Sequence, residues 1–158
     1  MSKDKSKVIE LMNEARAREL TAILQYMAQH YELEDSDYGK LAKVMKETAI
    51  AEMKHAESLA ERILWLGGKP TSKPDAEVKK GQKIREMLAT DLALESAAIA
   101  LYNKSALACG EAPDQVSKDL FEKLLGDEES HLDTFQNIKD HVDDLGESYL
   151  ATLTGGGE

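Results

Sequence analysis

Cysteine is almost missing from this chain: Cys109 is the only one. A lone thiol cannot close an intrachain disulfide, and it rules out a Cys-x-x-Cys metal or redox motif. Proline is scarce, at three, and ten glycines are few for the turns of an all-β chain. Ala, Leu, Lys and Glu dominate instead, which favours helix. Apolar runs are short, and none approaches the roughly 20 residues of a membrane span. The segment Met1–Lys7 carries charge with no apolar core behind it, so a secretory signal is not expected and a reducing cytoplasm is the expected compartment. Positive charge is in deficit, with 20 basic against 30 acidic residues and a net charge of −10. With no basic patch and no run of basic and aromatic residues, nucleic acid is not an expected partner. An acidic surface attracts cations, and it also serves plain solubility; composition does not choose between them.

What the chain does have is helical periodicity. Its breakers fall in three places: the polar turn Glu34–Asp37, a long stretch from Gly67 to Gly81, and Gly110–Pro113, where Gly is expected to end one helix and Pro to open the next. Between them, apolar positions recur with a 3.6-residue period. The pattern predicts one domain over residues 1–158, with helices at about 5–34, 37–66, 82–109 and 114–143. A short fifth helix is expected at about 146–153, followed by a frayed Gly155–Gly157 tail. Two short turns make two antiparallel hairpins. The fifteen residues between them reach about 50 Å when extended, enough to run back along a helix of about 45 Å. The expected fold is therefore an all-α, ferritin-like four-helix bundle with one long crossover connection.

Six residues then repeat at one offset. Glu19 and Glu95 (95 − 19), Glu52 and Glu128 (128 − 52), and His55 and His131 (131 − 55) are each 76 apart. Each half of the chain reads Glu, then 33 residues later (52 − 19 and 128 − 95) a Glu-x-x-His. The midpoint of Glu19 and Glu52 is 35.5, and that of Glu95 and Glu128 is 111.5; both fall in the expected turns. Residues equidistant from a hairpin turn sit level on facing helices, here about 24 Å below it. All six also interrupt largely apolar stripes, so they face the core. Four buried carboxylates together repel strongly. Protonation or two divalent cations resolves the repulsion, and the two imidazoles favour metal, with iron or manganese the ions suited to this donor set. The flanks keep the offset as well: Ala22/Ala98, Ile23/Ile99 and Tyr26/Tyr102.

At the level of local motifs, Glu52-Met53-Lys54-His55-Ala56-Glu57 followed by Glu61-Arg62-Ile63-Leu64 resembles the second-helix signature of bacterioferritins. Asp91–Glu95 and Asp127–His131 resemble the signatures of their third and fourth helices. The resemblance covers nearly the whole chain. The six-residue motif itself is shared with rubrerythrins and other di-iron proteins, whereas the Met after the helix-two Glu discriminates. The resemblance implies a ferroxidase that stores iron in a hollow cage of about 24 chains with closed symmetry. It implies that Glu19 and His55 bind one iron, Glu95 and His131 the other, and that Glu52 and Glu128 bridge the pair. It further implies haem b at a twofold dimer interface with Met53 as axial ligand, and a ferredoxin-type reductant for iron release. A rubrerythrin-like peroxidase or oxidase without storage is the rival reading; the lack of paired cysteines counts against it.

Several residues beside the six are candidates for supporting roles. Tyr26 and Tyr102 are read either as hydrogen-bond donors or electron sources to the centre, or as plain core aromatics. Asp91, one turn before Glu95, is read either as orienting a ligand histidine or as an exposed or capping carboxylate. Ile23 and Ile99 are expected to keep water away. Leu20, Leu24 and Met27 on the first helix, with Ile50, Met53 and Ala56 on the second, form another apolar face that calls for a partner subunit. Some bacterioferritins carry a His and an Asp facing the cavity just before the bridging Glu; here that stretch is Lys46–Ala51, where Glu47 is able to bind iron only weakly and Ala51 not at all, which puts an internal iron-relay site in doubt. His30 and His141 have no Glu at the matching spacing and are read as structural or exposed.

Overall fold

In a computed structural model describing residues 2–156, the chain forms five helices, and no strand is present among those residues. Met1, Gly157 and Glu158 lie outside them, and with them the first residue of the charged N-terminal segment and the last of the expected glycine tail. The helices are α1 (Lys3–Asp35), α2 (Gly39–Trp65), α3 (Ile84–Glu111), α4 (Gln115–Leu145) and α5 (Glu147–Thr152). None is long and apolar enough to cross a membrane. The ferritin-like bundle with one crossover and a short terminal helix is what the periodicity and the turn lengths predict.

The helix ends differ from expectation by one or two residues, and the reasons are local. Gly110 does not end α3, which continues to Glu111. Pro113 does not open α4 either: Asp114 caps it, accepting from the Ser117 N–H at 3.0 Å. At the first turn the chain reverses through Asp37, whose φ of +66° lies in the left-handed region that Asp tolerates better than most residues. The cap residue of α2, Tyr38, offers no side-chain hydrogen bond. The C-terminal segment serves instead. The Lys40 N–H donates to the Leu153 carbonyl at 3.2 Å, and the Gly155 N–H to the Asp37 carbonyl at 2.9 Å. Tyr149, Leu150 and Leu153 close the same end of the core.

The crossover, residues 66–83, is strapped along α1 by polar side chains. The Asn13 amide donates to the Lys69 carbonyl at 3.0 Å and accepts from the Thr71 N–H at 2.8 Å. Arg16 donates to the Thr71 carbonyl. Thr21 accepts from the Asp75 N–H at 2.9 Å, and Gln25 exchanges both of its bonds with the Lys79 backbone at 2.9 Å. The linker thus runs from the start of α1 toward its end, so α3 begins beside the end of α1 and runs parallel to α2. Two core clusters result, one at each end of the bundle. One gathers Leu11, Leu59, Tyr102 and Phe121, the other Leu33, Met45, Leu88 and Phe135. The six carboxylate and imidazole residues lie in the layer between them.

Candidate metal centre

Each long helix contributes to one buried layer: α1 Glu19, α2 Glu52 and His55, α3 Glu95, α4 Glu128 and His131. The five residues Glu19, Glu52, His55, Glu95 and Glu128 are between 0 and 5% exposed. The His131 side chain is 16% exposed and stands at the edge. The donor atoms converge in two overlapping groups, Glu19–Glu52–His55–Glu128 and Glu52–Glu95–Glu128–His131, with atoms in each group within 4.8 Å of one another. Glu52 and Glu128 belong to both.

The imidazoles face inward through the same atom. His55 Nδ1 lies 3.0 Å from Glu128 Oε1, 3.2 Å from Glu52 Oε1 and 3.7 Å from Glu19 Oε2. His131 Nδ1 lies 3.3 Å from Glu52 Oε1, 3.7 Å from Glu95 Oε1 and 3.9 Å from Glu128 Oε1. The two rings are nearly parallel, with centroids 6.2 Å apart. The tyrosines bind crosswise. The Tyr26 hydroxyl donates to Glu95 Oε1 at 2.5 Å, and the Tyr102 hydroxyl donates to Glu19 Oε1. Tyrosine and glutamate in each pair come from opposite halves of the sequence.

This chemistry fits two divalent cations. Both Nδ1 atoms, Glu19 Oε2, Glu52 Oε1, Glu95 Oε2 and both Glu128 oxygens are buried without a hydrogen-bond partner among the described residues. Such atoms are costly to bury unless something binds them. Four ionised carboxylates with neutral imidazoles carry −4 (4 × −1); protonating both imidazoles leaves −2 (−4 + 2), and two divalent cations cancel the charge (−4 + 2 × 2). The proton affinities carry the same strain. Burial, then the Glu52 charge, pushes Glu19 up to about 8. Burial also drives Glu128 far above the carboxylate range. Glu52 goes the other way: burial would raise it, but the two imidazoles, with His131 and His55 Nδ1 at 3.3 and 3.2 Å from its Oε1, outweigh that and hold it at about 2. Burial disfavours an imidazolium, yet the carboxylates overcome it at both histidines, carrying His131 to about 10 and His55 higher still. The cluster is thus holding protons where cations belong.

The comparisons with known proteins point the same way. A family model for the ferritin-like domain matches residues 9–145. The bacterioferritin of Desulfovibrio desulfuricans is 47% identical over 151 residues, covering 96% of this chain and 84% of that one. That of Brucella melitensis is 39% identical over 151 residues, covering 96% and 94%.

This chain belongs to the bacterioferritin family.

Two solved bacterioferritin structures superpose closely. The Desulfovibrio desulfuricans protein, described with its di-iron site in different catalytic states, gives a TM-score of 0.96 at 46% identity, covering 98% of this chain and 91% of that one. The Rhodobacter capsulatus protein, described with a metal-free dinuclear site and haem iron in a crystallographic special position, gives 0.90 at 41%, covering 96% and 94%.

Within this bacterioferritin chain the other candidates fall as follows. Met53 lies outside the layer, on the outer face of α2, 51% exposed beside Ile50 at 39%, with Leu24 of α1 at 48%. Asp91 is fully buried, and neither of its oxygens is hydrogen-bonded. It reaches neither histidine, which corrects its reading as the residue orienting a ligand imidazole. Burial raises its carboxyl well above the usual range. Asp127 meets His55 instead, Oδ2 accepting from Nε2 at 2.8 Å. Its place next to Glu128 was visible in the sequence, but an Asp that is 55% exposed carries no core-pattern signal. Ile23 and Ile99 are only half-buried, so the tyrosines and the two core clusters do more to exclude water. His30 is buried with Nδ1 on the Ala42 carbonyl at 2.7 Å, and His141 is exposed, stacked on Tyr149.

Proposed function

We propose that this chain oxidises Fe(II) at the six-residue layer and stores the ferric product inside a hollow assembly of its own copies. The observation that supports this most is the sharing of Glu52 and Glu128 between two four-residue groups. Carboxylates shared in this way hold two metals about 3.5–4 Å apart, close enough for one oxidant molecule to meet both. Glu19 with His55, and Glu95 with His131, would complete the two positions. Two Fe(II) substrate ions supply two electrons, which reduce O2 with two protons to H2O2, or H2O2 with two protons to water. The protein's share is binding, proton handling and exclusion of solvent. The inward Nδ1 atoms and orphaned carboxylate oxygens supply the donors. Tyr26 and Tyr102 fix the orientation of Glu95 and Glu19. Protons held by the cluster leave as cations enter.

Met53 suits a haem. Its thioether is exposed among apolar neighbours, and among the described residues it is the one methionine so exposed, so a haem held by two such sulfurs would need two copies of the chain. A closed shell of about 24 chains built from such dimers, loaded in the cytoplasm and emptied by a small reductant of the ferredoxin kind, completes the reading.

Aerobic Fe(II) addition tests the storage reading. The wild type should take up iron far beyond two ions per chain, and Glu128→Ala should lose rapid oxidation. Uptake that stops at two ions, or unchanged kinetics in Glu128→Ala, contradicts it.

A further inference from the structure

The 76-residue offset relates nearly every group around the centre to a counterpart. Glu19 answers Glu95, Glu52 answers Glu128, His55 answers His131, and Tyr26 answers Tyr102. The tyrosine hydrogen bonds obey it too. One contact breaks it. His55 Nε2 is held by Asp127 Oδ2 at 2.8 Å. The residue 76 before Asp127 is Ala51 (127 − 76), which has no group to hold His131. Among the described residues, His131 Nε2 has no hydrogen-bond partner. Its side chain is also the more exposed, 16% against 7% for His55. Asp91 breaks the offset as well (its counterpart, 91 − 76, is Ala15), but it touches neither imidazole.

The chemistry of a backed imidazole is well defined. A carboxylate accepting from Nε2–H fixes the tautomer that leaves the Nδ1 lone pair free, fixes the ring plane, and makes Nδ1 a stronger donor. His55 has all three advantages, and its Nδ1 already faces Glu19, Glu52 and Glu128. His131 Nδ1 also faces carboxylates, at 3.3 to 3.9 Å, but no protein carboxylate on Nε2 fixes its tautomer or raises its donor strength.

We propose that Asp127 is a positioning residue that makes the two cation positions unequal. The Glu19–His55 position binds first and more tightly, and the Glu95–His131 position binds second and more weakly. This rests on the six-residue reading of the centre given above, and the experiment separates the two.

Co(II) alone, titrated into the full-length assembled protein, reports each position by calorimetry and by its visible ligand-field absorption. The wild type should bind two Co(II) per chain in two classes, separated by about tenfold or more in affinity, the usual reach of such a backing group. His55→Ala should remove the tight class and His131→Ala the weak one. Asp127→Ala should weaken the tight class by about 10- to 100-fold and change its absorption band, leaving the weak class in place. Asp127 is largely exposed, so this variant tests the contact rather than the fold. Ala51→Asp in the Asp127→Ala background should tighten the His131 class and reverse the order of filling. Two equal sites in the wild type, a tight class untouched by Asp127→Ala, or a tight class lost with His131 would overturn the inference while leaving the six-residue centre standing. Failure to bind two Co(II) per chain would instead overturn the centre itself.

Discussion

At the scale of single residues, the centre is a problem in where protons sit. Glu19 releases its proton near pH 4.5 in the unfolded chain but retains it to about 8 in the fold, because it is buried and faces the Glu52 charge. Over that window the folded state holds the extra proton, so stability falls as pH rises. His131 extends the loss. Burial opposes its charge, but Glu52 and Glu95 carry it from 6.5 to about 10, so its contribution is complete below 6.5 and gone above 10. Glu52, held at about 2 by the histidines, acts at the acid end: its contribution is present above 4.5 and is lost as pH falls toward 2. Chelator-treated protein should therefore melt at progressively lower temperature from pH 6.5 to 9. Saturating Zn(II) should flatten or reverse that slope, because cation binding displaces the same protons. Melting curves across this range check it, and a flat profile in the stripped protein would contradict it.

At the scale of elements, the crossover is the least obvious part of the fold and the most exacting. Near its start lies Gly68, where an added Cβ would meet Ile9 Cγ2 at 2.7 Å and Ile63 Cγ2 at 3.1 Å. Both are β-branched side chains with little freedom to move aside. Gly68→Ala should cost about 1–3 kcal/mol through overpacking and lower the melting temperature, while Gly126→Ala, on α4 with open space around it, should not. Equal melting of the two variants would remove Gly68 from this role. The element scale also marks what the sequence discloses. Helix count, topology and the level of Glu19, Glu52, Glu95 and Glu128 follow from apolar periodicity and turn midpoints. The path of the linker does not: Asn13, Arg16, Thr21 and Gln25 bind backbone groups at irregular spacings, and such bonds leave no periodic trace. The cap of α2 by the Leu153 carbonyl is equally silent, since any residue supplies a carbonyl. Asp127 escaped notice for a related reason: which exposed carboxylate reaches a ligand histidine depends on side-chain geometry, and Asp91, in the better-patterned position, points elsewhere.

At the scale of the whole molecule, the bundle leaves an apolar face of α1 and α2 uncovered. Leu24, Ile50 and Met53 are exposed on neighbouring helices, away from both core clusters. A second copy related by a twofold axis would cover that face and bring two Met53 sulfurs together. The native particle should be many times the 17.5 kDa of one chain. Met53→Leu should keep the particle and the ferrous oxidation rate while losing the haem absorption band. A band that survived the substitution would remove Met53 as the axial ligand. The acidic balance of 30 to 20 suits iron handling, since a negative surface draws cations.

The deciding property of the molecule is that Glu19, Glu52, His55, Glu95, Glu128 and His131 hold two metal ions at once. Crystals soaked anaerobically in Fe(II), with diffraction recorded on both sides of the iron absorption edge, answer this directly. Two anomalous peaks per chain are expected inside the bundle, about 3.5–4 Å apart, one beside His55 and one beside His131, with Glu52 and Glu128 reaching both. Saturated crystals with no peak among these six residues would contradict this.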